Sequence, residues 1–99
     1  MTGYILSPAA RADLNEIWDY SARHWGADQA DSYIRAIRDA CAALADGSRQ
    51  GRAIDDIRAG YRKLAVQSHF LFYRLTDTGL IDVVRILHQR MDVAARLQG

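Results

Sequence analysis

The apolar residues of this chain change their spacing once, close to residue 50, and that change decides what it can fold into. Before it, Ala10, Leu14, Ile17, Trp18, Ala22 and Trp25 recur every three or four residues, the stripe of an amphipathic helix. Arg11, Asp13, Glu16, Asp19 and Arg23 fall on the other side. Ser7 is a favourable N-cap, Pro8 suits the first helical position, and Gly26 supplies a stop. Asp28, with Asp31 three residues on, predicts the cap of a second helix. Its stripe is Tyr33, Ile34, Ile37, Cys41 and Leu44, with Gly47 and Gly51 at the exit. Two helices with so short a link must lie antiparallel.

After the change the chain reads as strands. Tyr61–Val66, His69–Leu75 and Ile81–Leu87 are rich in aromatic and β-branched residues, and Thr76-Asp77-Thr78-Gly79 between the last two is turn chemistry. Short connections make them an antiparallel meander. Tyr4–Leu6 reads as an edge strand, and Asp92–Gln98 as one terminal helical turn in an exposed, charged tail. The expected fold is α+β, in the order β-α-α-β-β-β, with the helix hairpin packed on one face of the sheet. Its opposite face, if left open, would be basic and carry histidine.

A chain of 99 residues supports one core, so residues 1–99 are expected to form a single domain. No stretch reaches the ~20 apolar residues of a membrane span, and the first seven are too polar for a signal peptide, which predicts a cytoplasmic protein. One cysteine, Cys41, excludes an internal disulfide and reads as a small buried hydrophobe. His24, His69 and His88 lack metal-ligand spacing, and no phosphate loop or nucleophile turn is present. No cofactor is expected.

Charge is divided unevenly. Residues 1–46 hold four arginines against seven acids, a net of −3, whereas residues 47–99 hold nine cations against five acids, a net of +4. Twelve of the thirteen cations are arginine, whose fork suits carboxylate or phosphate. Arg62, Lys63, His69, Arg74, Arg85, His88 and Arg90 all fall in the strand-rich half. They fit either an RNA-cleaving surface or a seat for an acidic partner. His88 reads equally as a histidine holding the following turn. Tyr4, Trp18, Trp25 and Tyr33 are most simply core, with a partner groove as the other reading for Trp18 and Trp25, seven apart on one helix face. Asp55 and Asp56 read as a solvated loop.

Three blocks carry a family likeness. Ser7-Pro8-Ala9-Ala10-Arg11-Ala12-Asp13-Leu14 leads to Ile17-Trp18, Tyr20, Trp25-Gly26, Gln29-Ala30 and Tyr33. Ile57-Arg58-Ala59-Gly60-Tyr61-Arg62-Lys63-Leu64 and Ser68-His69-Phe70-Leu71-Phe72-Tyr73-Arg74 follow, then Val84-Arg85-Ile86-Leu87-His88-Gln89-Arg90-Met91-Asp92. In this order the chain resembles the ParE toxins of the RelE/ParE toxin–antitoxin superfamily. The resemblance implies a toxin that poisons DNA gyrase by stabilising its complex with cleaved DNA. It also implies a ParD-like antitoxin, whose acidic, amphipathic segment would cover the toxin and whose own DNA-binding part would supply the only direct contact with DNA. Partner contacts are then expected from Arg62, Lys63, Arg74, Arg85, His88, Arg90, Asp92 and Trp18. The alternative is a ribosome-dependent mRNA endonuclease of the RelE type using Arg62, Arg74 and His88. Gln89, where some of those nucleases have an aromatic residue, and the lack of a matching general base favour the ParE reading. A remnant that only binds its antitoxin is the third.

Overall fold

Ser7 joins the first strand, the first helix and the last strand at one point. Its Oγ accepts the amide of Ala10 at 3.0 Å, as an N-cap should, and donates to the carbonyl of Val84 at 2.7 Å. Its own amide donates to Val83 at 3.0 Å. The computed structural model describes residues 3–91 and residue 97. Strand β1 (Tyr4–Leu6) leads into α1 (Pro8–Trp25) and α2 (Ala27–Asp46), then β2 (Arg52–Ala53), β3 (Tyr61–Val66), β4 (His69–Leu75) and β5 (Ile81–His88). The sheet order is β1-β5-β4-β3-β2, with β1 parallel to β5 and every other pair antiparallel. This is the expected α+β hairpin-on-sheet arrangement, with one strand added.

Several local expectations need correction. The buried face of α1 is Ala10, Asp13, Leu14, Ile17 and Ser21, so the stripe is rotated toward Asp13 and away from the tryptophans. Trp18 lies half-buried at the flank, and Trp25 is 64% exposed at the end of the helix, edge-on to Tyr20 and tilted against His24 at the surface rather than in the core. Gly26 alone links the helices, at φ 93°, and ends one while starting the next. Asp28 is therefore inside the first turn of α2 and caps nothing, and Asp31 pairs with Trp18 instead. β2 leaves no mark in the sequence, because two exposed residues with polar flanks carry no period.

The main core lies between hairpin and sheet and includes Leu14, Ile17, Ile37, Cys41, Leu44, Leu71, Tyr73, Val83 and Ile86. The opposite face is not an open basic plate. Ile54 and Leu97 cover Phe72 and Leu87 there, with Ile57, Tyr61, Phe70 and Val84 at the margin. Leu97 is only 4% exposed, so the tail is not uniformly a surface feature. The other residues of the expected terminal turn, 92–96 and 98, lie outside the described residues.

A bulge explains why alternation misleads along β5. The register passes from Phe72↔Arg85 to Tyr73↔Val83, which leaves Val84 without a partner and reverses the side-chain alternation beyond it. Ile81, Val83 and Ile86 consequently face the helices, while Val84 and Leu87 face away.

Candidate functional site

The cationic residues singled out by sequence do not converge. Directly opposed residues share a face, so the pairing of Arg62 with Tyr73 puts Arg62 on the helix side, whereas Lys63 opposite Phe72 lies on the far side. Arg62 donates from Nη1 to the carbonyl of Gly51 at 3.1 Å. Lys63 holds its Nζ 4.5 Å above the Phe70 ring. Arg74 sits at the far end of β4, where its Nε binds Asp82 at 3.0 Å across to β5. That bond raises the basicity of an already permanent cation. His88 faces His69 at the opposite end of the same two strands. Five residues of extended chain, about 17 Å, therefore separate the two ends that Arg74 and His88 occupy. The three residues of the nuclease alternative lie on two faces and at two ends.

Around His88 the geometry is specific. Its Nδ1 accepts the amide of Arg90 at 3.1 Å, which leaves the neutral ring its proton on Nε2. The ring packs edge-on against His69 at 5.2 Å between centroids. Nδ1 of His69 lies 2.6 Å from Oη of Tyr33 on α2, and that hydroxyl also takes the amide of Ser68 at 3.1 Å. Tyr33, His69 and His88 thus tie α2 to the β3–β4 turn and the end of β5. Arg90 is exposed in the turn after β5, and Asp92 lies outside the described residues.

Burial is the main force that lowers the His69 pKa to about 4, with His88 adding to the effect and Asp13 opposing it. The unfolded chain takes up this proton near pH 6.5, before the folded protein does. Stability attached to His69 is complete above that pH and drains away as pH falls toward 4. Denaturation at pH 7 and pH 4.5 should show a loss in the native chain that is smaller in His69→Gln.

Arg85 is the residue whose role sequence reading placed least well. Its Nε and Nη2 each reach Asp13 of α1 at 2.8 Å, a two-pronged ion pair, and the same carboxylate accepts the amide of Ile86 at 2.9 Å. The adjacent bulge re-aims Arg85 toward α1. An arginine inside an apolar strand is the signal the sequence offers, whereas Asp13 falls on the polar side of its helical stripe. Each charge is costly when buried alone, which makes pairing the economical solution.

Trp18 joins the two helices at the surface, with Nε1 donating to Asp31 at 2.8 Å, and borders a shallow cavity of about 350 Å³ with Asp19, Ala22 and Arg23. Trp18→Phe should lower unfolding stability by about 1 kcal/mol, read from denaturant titration, the value of one exposed hydrogen bond. Burial raises the Cys41 thiol pKa to about 11, which suits a core role. Among the described residues no group of three or more His, Cys, Asp or Glu side chains is placed to hold a metal, and no helix is long and apolar enough to cross a membrane.

Comparison with known proteins adds a consistent result. Residues 4–93 match the family model described as the ParE toxin of type II toxin–antitoxin system, parDE. Toxin ParE1 of Mycobacterium tuberculosis is 57% identical over 94 residues, covering 95% of this chain and 96% of the relative. Toxin ParE1 of Caulobacter vibrioides is 39% identical over 97 residues, covering 98% and 99%. Among solved structures, a chain described as the chromosomal ParDE TA system from P. aeruginosa superposes with a TM-score of 0.76 at 22% identity, covering 89% of this chain and 96% of that one. That likeness supports the fold.

Proposed function

We propose, from the premise that this chain belongs to the ParE toxin family of type II toxin–antitoxin systems, that it arrests growth by binding DNA gyrase and trapping its complex with cleaved DNA. A ParD-like antitoxin neutralises it in the cytoplasm, and residues 1–99 act as one toxin domain. The observation that carries a binding mode is the dispersal of Arg62, Arg74 and His88 over two faces and two ends of the sheet. Each is also engaged within the chain: Arg62 to Gly51, Arg74 to Asp82, and Nδ1 of His88 to the amide of Arg90. General acid–base cleavage needs its groups within hydrogen-bond reach of one reacting centre. Docking needs only a complementary surface.

Pulse labelling of growing cells after induction tests this reading. Thymidine incorporation should fall before leucine incorporation does, and co-expression of a ribbon-helix-helix protein encoded beside the gene should restore growth. Leucine incorporation failing first, with cuts at codon positions in mRNA, would instead support the endonuclease alternative.

A further inference from the structure

A cleft of about 500 Å³ opens beside the first turn of α1, bordered by Pro8, Arg58, Tyr61, Val84, Arg85 and Leu97. Two guanidinium groups border it, and no carboxylate does among the described residues. Both are held in place. Arg85 is fixed by Asp13 through Nε and Nη2, which leaves Nη1 without a bond to any described residue. Arg58 lies 4.7 Å over the Tyr61 ring and donates from Nη1 to the carbonyl of Leu97, with Nε and Nη2 likewise without a described partner. The loop that carries Arg58 is closed by Ile54 N donating to Tyr61 O at 2.9 Å and Tyr61 N to Arg58 O at 3.2 Å. Cations fixed in this way lose little freedom when an anion arrives.

We propose that this cleft takes one carboxylate of an acidic, amphipathic peptide segment, shared between Arg58 and Arg85. Guanidinium forks match a carboxylate in two-pronged geometry, and the fixed partners leave spare N–H groups for it. Pro8, Val84 and Leu97 give an apolar wall beside the charge, which suits an apolar neighbour on the same peptide. A nucleic-acid strand would need open aromatic faces for its bases, and Arg58 already covers Tyr61. The net +4 of residues 47–99 favours the same class of partner. The assignment rests on the reading of this chain as a toxin covered by an antitoxin segment, and gives that segment's acidic anchor a place.

Titration of the full chain with a short peptide of Glu and Leu, against its Gln-for-Glu twin, tests the assignment. The Glu peptide should bind, and Arg58→Gln should weaken it by roughly tenfold to a hundredfold, the value of a charge-assisted contact. Arg52→Gln, on the exposed β2, should change nothing. Arg58→Lys, which keeps charge without the fork, should fall between and serves if the Gln variant melts early. Equal binding by wild type and Arg58→Gln overturns the assignment, as does a chain that ignores the peptide and takes a single-stranded oligonucleotide instead. Peptide affinity is separate from growth arrest, so failure here leaves the gyrase reading intact and failure there leaves this site intact.

Discussion

Asp13→Ala lowers the unfolding free energy by about 3–5 kcal/mol, the cost of breaking a buried ion pair from one side. The side chains of Asp13 and Arg85 are 9% and 25% exposed, so the bond is largely shielded from water. Removing the carboxylate deprives Arg85 of both 2.8 Å contacts and leaves the amide of Ile86 without its acceptor. It also unfastens α1 from β5 beyond the end of β1, where sheet pairing does not help. Denaturant titration checks this through a midpoint shift at unchanged slope. A double-mutant cycle with Arg85→Ala should be strongly non-additive, since either single change already ruins the pair. An additive cycle would mean that the two groups contribute independently.

The second large effect is expected at Phe72. It is fully buried and is the largest side chain in that state, packed with Ile54, Leu87 and Leu97 on the face away from the helices. Phe72→Ala should cost about 3–5 kcal/mol, because the transfer loss and the cavity add. Phe70→Ala should cost less, since Phe70 is only half-buried beneath Lys63. Measured together by denaturant titration, the pair tests whether the far face is a genuine second core. A Phe72 effect below about 1 kcal/mol would show that loop and tail close over the gap or were never tightly packed.

Periodicity carried the helix hairpin and the three-stranded meander because their apolar positions obey one spacing each. It misjudged residues whose placement depends on a partner far away. Asp13 scores as a surface acid on its own helix and is buried only because Arg85, 72 positions later, completes it. Trp25 satisfies the stripe arithmetic but sits at the helix end, beyond the reach of the sheet. The bulge at Val84 defeats strand parity for Arg85 and His88 alike, since one extra residue reverses the alternation past it. His69 stands out by residue type, yet its tie to Tyr33 joins elements 36 positions apart that no local pattern connects. As for the candidate site, residue types were visible in sequence while their dispersal over two faces was not. Arg58, which borders the cleft together with Arg85, lies within a family-like block where nothing in the sequence sets it apart from its neighbours.

The pulse-labelling order and the cleft titration each reach the account through a consequence. A reconstituted reaction reaches it at the source: purified chain, gyrase, ATP and supercoiled plasmid, with ribosomes carrying mRNA in a parallel tube. Linear plasmid accumulating with dose, while the mRNA stays whole, is the predicted result. Plasmid left supercoiled beside mRNA cut within the ribosome would contradict the account.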